Sequence, residues 1–377
     1  MNAAGIIFSN LDDNNISELT RQRTMASIPF ACRYRLIDFP LSNMVNSGIT
    51  NISVITRYNY HSLMDHIGTG KDWDLARRTS GIKILPPYIT AYANSTNTLY
   101  DTRLEALKSV IHSIRNIQED LVVFSDCDVV CNIDIDALIK HHIDTNADIT
   151  MVVKNVPCDD PFTDTSIVID TDENDQITDI YKNTPDVSGN VNACLYIWVM
   201  KKDLLLKVMS DAIAHEYRSF SQDIIAKNIG ILKMQVYRYT DFSATVDTFE
   251  NYFKTSMEIL DNENVRDALF GVEDRPIFTK VRNSPPTKYS TGSCVSNSLI
   301  ADGCIIEGEV DNCILFRGVK IGHGAVVKNS ILFQDTVVSD NVYLNCVVTD
   351  KNAVIRDGRV LSGHETMPIH VEKGRMI

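Results

Sequence analysis

Toward the end of this 377-residue chain an aliphatic residue returns near every sixth position: Ile300, Ile306, then Ile331 and Val337, and later Val348, Val354 and Val360. Turn formers stand between them, at Asp302-Gly303, Gly308, Gly322, Gly324, Asp340-Asn341 and Asp357-Gly358. Helical periodicity is absent from this stretch. The repeat predicts a left-handed parallel β-helix, in which each flat side of a triangular coil turns one aliphatic inward per repeat. A valine-rich β-sandwich is the competing reading, but its strands would alternate with period two. The β-helix domain is assigned to residues 291–377.

The preceding residues have a different texture. Gly5–Phe8, Ile52–Thr56, Leu121–Ser125 and Ile149–Lys154 are short β-branched runs that read as buried parallel strands. Thr102–Ile117 places Leu104, Leu107, Val110, Ile111 and Ile114 on one helical face, and Asp136–His142 and Lys202–Met209 read likewise. Thr163–Asp170 and Gln176–Tyr181 read as a hairpin, and Asn192–Met200 as a further core strand. Strands alternating with helices imply a doubly wound, Rossmann-like α/β domain with right-handed crossovers, assigned to 1–262. Residues 263–290 hold Pro276, Pro285 and Pro286 and read as a linker.

Composition narrows the functional classes. A net charge of −13 argues against nucleic acid or an anionic membrane as partner. Nine cysteines, scattered and without paired zinc-type doublets, suit a reducing cytoplasmic compartment. The apolar start, Ala3–Phe8, is too short for a signal peptide, and no apolar run approaches the ~18–20 residues that span a bilayer.

The segment IPFACRYRLIDFPLSNMVNSGI, from Ile28 to Ile49, with PPTK at 285–288 and SLIADGCIIEGEVDNCILFRGVKIG in the β-helix region, resembles the ADP-glucose pyrophosphorylases (glucose-1-phosphate adenylyltransferases). The resemblance covers nearly the whole chain. It implies a nucleotidyltransferase domain followed by the β-helix. The family's Gly-rich loop, of the form LAGGxGxRLxPLT, corresponds here to Ile7-Phe8-Ser9-Asn10 and LDDNNISELT. Ser9 and Asn10 replace glycines, the arginine is lost, and Asp12, Asp13 and Glu18 place carboxylates where a triphosphate would lie.

Other positions that the resemblance assigns to the chemistry are also altered. The lysine of AKPAVPF corresponds to Met25. The metal aspartate of GDHIYxxD survives as Asp128, but that of WRDVGT is Thr245, with Asp247 two residues on as a conceivable substitute. The sugar-phosphate lysine of FVEKP corresponds to Asn183, next to Lys182. The nucleotide segment YxGTADA reads with Asn94, Ser95 and Asn97 at the changed or retained positions. No metal site is assigned; the cofactor reading is none, with Mg²⁺ only if the chain is active.

Basic residues outside the chemistry are kept. Arg21, Arg23, Arg35, Lys351 and Lys373 correspond to positions that the family uses for an anionic effector between its two domains, with solvated surface charge as the competing account. The resemblance therefore implies a regulatory, catalytically deficient subunit in glycogen synthesis. Its partner would be a catalytic ADP-glucose pyrophosphorylase subunit, in a hetero- or homotetramer. The alternatives are an active adenylyltransferase with a rearranged site, a sugar-phosphate sensor, and a hexapeptide acyltransferase, for which His323 is the single candidate base.

Overall fold

A computed structural model describes residues 2–9, 11, 13–86, 100–158, 160, 163, 166–182 and 189–377. The chain forms two compact units. The first comprises Met1–Leu11, Phe39–Ala244 and Glu273–Phe278; the second comprises Asp12–Asp38, Thr245–Val272 and Thr279–Ile377.

The first unit is built on a nine-stranded sheet. Its strands are β1 (Ala3–Phe8), β2 (Asn51–Ile55), β3 (Gly81–Leu85), β4 (Leu121–Asp126), β5 (Ile149–Pro157), β6 (Ile167–Thr171), β7 (Ile177–Lys182), β8 (Asn190–Lys201) and β9 (Met234–Arg238). The order runs β7-β6-β8-β4-β1-β2-β3, with β5 pairing both β8 and β9. β1, β2 and β4 are parallel, as their apolar runs predict, and β3, which was not read from sequence, joins them in parallel; β5, also read as parallel, is parallel to β9 but antiparallel to β8. The sheet is nevertheless mixed. β8 runs antiparallel to β4, β5 and β6, and the β6–β7 hairpin is antiparallel because its turn is tight. In that turn the Asp172 carboxylate accepts from the backbone N–H groups of Asn174 and Gln176.

The amphipathic stretch at 102–117 buries all five of its predicted apolar residues. It is two helices, Arg103–Ser109 and Ile111–Arg115, and not one. At the break the Ser109 hydroxyl donates to the Ala106 carbonyl, competing with the helical ladder, and Val110 leaves helical geometry with ψ near 17°.

The second unit contains a left-handed β-helix of three five-stranded parallel sheets. Ile306, Ile321, Val338 and Ile355 stack in register along one inner wall, and Val310, Val327 and Leu344 along another. The hexapeptide pattern is confirmed, but the inward position is corrected for several residues. Val337, Val354 and Val360 face outward, Val360 being 67% exposed, while Val338, Ile355 and Leu361 point inward. Ile331 and Val348 are buried on the outer face of their sheet. Adjacent residues of a strand face opposite sides, and both members of each pair are aliphatic, so the pattern alone did not choose between them.

Two helices share this unit. Phe249–Asp261 is N-capped by Thr248, and Glu263–Phe270 is N-capped by Asn262. The second lies within the segment read from sequence as a linker. The first buries Tyr252, whose hydroxyl donates to the Pro29 carbonyl at 2.8 Å and whose ring meets Phe30 and Phe333 edge-on.

Candidate functional site

In the first unit the C-terminal ends of β1, β2 and β4 converge, which is where ligands bind in open α/β sheets. Ser9, fully buried, follows β1; its N–H donates to the Ile55 carbonyl and its own carbonyl accepts from the Cys127 thiol at 3.4 Å. Asp128 is buried just beyond β4. Asn10, Asn94, Ser95, Asn97 and Asn183 lie outside the described residues. Lys182, exposed, is the last residue of β7.

The dominant charges here were not singled out from sequence. The Asp126 carboxylate, buried at the end of β4, is gripped by Arg103, whose Nε donates at 2.8 Å and whose Nη2 also contacts it. The guanidinium lies over the Tyr196 ring, 3.9 Å from its centroid. Tyr196 sits in a bulge of β8, between Cys194 and Trp198, with φ of 52°. A bulky residue in the left-handed region is strained, and the bulge aims its ring at the ion pair. Arg57 follows β2 and is nearly as buried; it donates to the Tyr100 carbonyl and to Asp101. A buried carboxylate demands a cation, but nothing in the sequence said which arginine would supply it.

The donor set does not fit a divalent cation of the family's kind. Of the two positions that the resemblance assigns to the metal, Asp128 keeps its carboxylate, but Thr245 offers a neutral hydroxyl where the family has a second one. Among the described residues no group of three or more histidine, cysteine or acidic side chains is placed to hold a metal. Asp247 has left the strand Ser243–Thr245 and is buried; its Oδ1 accepts from the Asn251 amide at 2.7 Å, while its Oδ2 is buried without a hydrogen-bond partner among the described residues.

The altered loop enters the second unit, where one expectation needs correcting. Asp13 does not face outward as a repelling charge. It is buried, with Oδ1 accepting from the Met25 N–H at 2.9 Å and its carbonyl accepting from the Thr20 hydroxyl at 2.6 Å. Met25 is itself buried, and Glu18 is exposed.

Three of the five basic residues meet in this unit. Arg23 is buried, and its Nη2 donates to both oxygens of Asp350, at 2.6 and 2.9 Å. Its Nη1 is buried with no hydrogen-bond partner among the described residues. Arg35 is buried on a hairpin formed by Pro29–Phe30 and Tyr34–Arg35. The hairpin turns through Ala31 and Cys32 with φ of 42° and 71°, although neither is glycine, each costing roughly 1–2 kcal/mol of backbone strain. Its geometry is held from outside: Tyr34 stacks on Phe270, and the Arg35 N–H donates to Asp38.

Lys351 follows Asp350 at a β-helix corner and is half-buried. Burial, then the charges of Arg35 and Arg23, pull its pKa down to about 7, with Arg282 adding to the effect and Asp350 opposing it. Arg282 is thus a fourth cation of the cluster, missed from sequence because it lies in a stretch without pattern. Arg21 and Lys373 sit apart: Arg21 is exposed and pairs with Glu372 at 2.9 Å, and Lys373 is exposed next to that glutamate. His323 is exposed, its backbone N–H donating to Asp340, and so is a corner residue.

The nucleotidyl transferase family model matches residues 14–262, and the model of a GlmU-like C-terminal hexapeptide domain matches 285–366. The chain belongs to the ADP-glucose pyrophosphorylase family of nucleotidyl transferases. Among its relatives, the glycogen biosynthesis protein GlgD of Bacillus subtilis is 31% identical over 370 residues, covering 98% of this chain and 95% of the relative. GlgD of Geobacillus stearothermophilus is 35% identical over 323 residues, covering 86% and 82%. A glucose-1-phosphate adenylyltransferase of Halalkalibacterium halodurans is 32% identical over 327 residues, covering 86% and 83%. No helix among the described residues is long and apolar enough to cross a membrane.

Proposed function

We propose that the chain serves glycogen synthesis as a catalytically deficient, regulatory subunit of ADP-glucose pyrophosphorylase. A catalytic paralogue in the same assembly, a tetramer, would convert ATP and glucose 1-phosphate to ADP-glucose and pyrophosphate. The cluster of Arg23, Arg35, Lys351 and Arg282 binds the anionic effector, of the phosphorylated-sugar class.

One observation carries this reading. Arg23 is buried with Nη1 unpartnered, among cations that outnumber the single carboxylate facing Lys351, Asp350. An unpaired buried donor in a field of like charge is costly unless an anion completes it. On the catalytic side, the loss of glycines, lysines and a metal carboxylate removes the groups that stabilise a pentavalent phosphoryl transition state, and groups acting as a unit fail together.

The test is an assay of pyrophosphate release from ATP and glucose 1-phosphate. It is run on the chain alone, on the catalytic paralogue alone, and on the mixture, each with and without sugar phosphates. Negligible turnover by the chain, together with altered effector response in the mixture, supports the proposal. Turnover by the chain alone in the ordinary range of roughly 1–10³ s⁻¹ overturns it.

A further inference from the structure

At the ligand-binding end of the first unit's sheet, Arg57 holds a guanidinium of which only part is engaged. It stands just beyond β2, and its side chain is 4% exposed. Nη1 is occupied, donating to the Tyr100 carbonyl at 2.9 Å and to Asp101 Oδ1 at 3.0 Å. The other edge, Nε with Nη2, is the fork that meets an anion side-on. Arg103 uses this same edge to grip Asp126. On Arg57 it grips no anion: Nη2 reaches the Tyr58 hydroxyl at 3.2 Å, and Nε is buried with no hydrogen-bond partner among the described residues. The Tyr58 ring lies against the guanidinium, 4.7 Å from ring centroid to Cζ. One residue back, Thr56 is fully buried, and its hydroxyl also has no partner among the described residues. Buried donors left unmade are costly, and these two lie on consecutive residues at the end of one strand.

We infer that Arg57 is an anion-binding residue of the first unit, taking a phosphoryl group on its Nε–Nη2 edge. Tyr58 accepts from Nη2 and so keeps its own O–H proton for a ligand oxygen. Nε, Nη2, Tyr58 and Thr56 together offer more donors than the two oxygens of a carboxylate need, and suit the three of a phosphoryl group. The guanidinium lies one side chain from solvent, because Asp101, which it holds, is 73% exposed. That carboxylate sits on the opposite edge and leaves the fork clear, while its charge opposes a second anion on the same cation.

This site stands apart from the cation cluster around Arg23. Arg57 belongs to the first compact unit and the cluster to the second, and they share no residue. Nor is Arg57 among the positions at which the family's chemistry has been lost. Phosphoryl binding here needs no turnover, so the first unit keeps a recognition function after losing a catalytic one.

The test measures binding of inorganic phosphate by calorimetry. The starting protein is the full chain carrying Arg23→Met and Asp350→Leu, which removes the unpartnered nitrogen of the second unit's cluster. One phosphate per chain should still bind. Adding Arg57→Lys, which keeps the charge but loses the fork, should weaken binding about tenfold or more. Adding Asp101→Asn should tighten it several-fold, by removing the opposing charge. The Asp101→Asn comparison is repeated in the otherwise wild-type chain, so that it stands even where Arg57→Lys or the starting protein fails to fold. No phosphate binding in the folded starting protein, an unchanged affinity in Asp101→Asn, or acetate bound as tightly as phosphate overturns the proposal. A wild type that binds no more phosphate than the starting protein would remove the second unit's cluster as an anion site and leave the Arg57 assignment in place.

Discussion

One nitrogen of Arg23 reaches both carboxylate oxygens of Asp350, joining residues 327 positions apart inside one compact unit. Both side chains are almost fully buried, at 3% and 6% exposure. Removing either partner strands the other charge away from water. Asp350→Ala is therefore expected to destabilise the second unit by about 3–5 kcal/mol, and the paired change Arg23→Met with Asp350→Leu by much less. Denaturant unfolding of the two variants checks this. Equal losses in the single and the double variant would show that packing, and not the charge pair, holds the contact.

The β-helix corners make a second prediction. Asn297, Asn312 and Asn329 adopt φ of 35°, 54° and 44°, and their side-chain amides form a ladder: Asn297 donates to Asn312, Asn312 to Asn329 and Asn329 to Asn345, at 2.7 to 2.9 Å. Asparagine tolerates the left-handed region better than most residues, and here it also satisfies its neighbours. In the next coil that conformation falls to Cys346, at φ of 50°. Asn329→Val should cost about 2–4 kcal/mol, from a β-branched residue at positive φ and two lost amide bonds. Cys346→Gly should be neutral or slightly stabilising. Thermal midpoints measure both, and a neutral Asn329→Val would show that the ladder is decorative.

How much of this the sequence carried depended on the kind of interaction. The hexapeptide repeat announced the β-helix because each coil repeats one local rule, but the inward residue of pairs such as Val337-Val338 needed the real register. The parallel strands β1, β2 and β4 were readable as apolar runs. The reversal of β8 was not, since an antiparallel neighbour is chosen by tertiary pairing. At the sites, family resemblance pointed to Arg23, Arg35 and Lys351, which the structure brings together. Arg282, Arg103 and Asp126 were missed because a long-range charge pair leaves no local pattern. Asp13 was misjudged because its role, holding the Met25 N–H, is a backbone contact that composition cannot show.

At the end of β4 the fate of Asp126 is set by Arg103. Its side chain is 4% exposed against 18% for the arginine, so the carboxylate is the costlier charge to abandon. Arg103→Met is expected to destabilise the first unit by about 3–5 kcal/mol, and adding Asp126→Asn should recover a large part of that loss. Neither change should produce adenylyltransferase activity, because Thr245 and the loop at Ser9 remain as they are. Unfolding curves and the pyrophosphate-release assay read the two halves of this prediction. Activity in the double variant would mean that the ion pair is a plug over an otherwise competent site.

Lys351 links the cation cluster to pH. Its folded pKa, about 7, lies below that of an unfolded lysine. Between about 7 and the ordinary lysine range the unfolded chain holds a proton that the folded chain has lost. Stability therefore rises with pH across that window, and below about 7 the full penalty of the buried ammonium is present. Lys351→Met should flatten the rise. Bound anion reverses the preference, because negative charge stabilises the ammonium form. Sulfate is the suitable probe, being a dianion throughout. Its affinity should be greatest below about pH 7 and weaken by up to about tenfold per pH unit above it, with proton uptake on binding. The charges facing the amine are Arg35, Arg23, Asp350 and Arg282. His370, which faces Asp350, Glu18, Glu372 and Arg23, has its pKa lowered by burial and stays neutral across the window, so it does not supply the proton dependence. Calorimetry in buffers of different ionisation enthalpy measures the uptake directly. Sulfate affinity that is flat with pH in the wild type would remove Lys351 from the binding site, whereas no sulfate binding at any pH would remove the anion site itself.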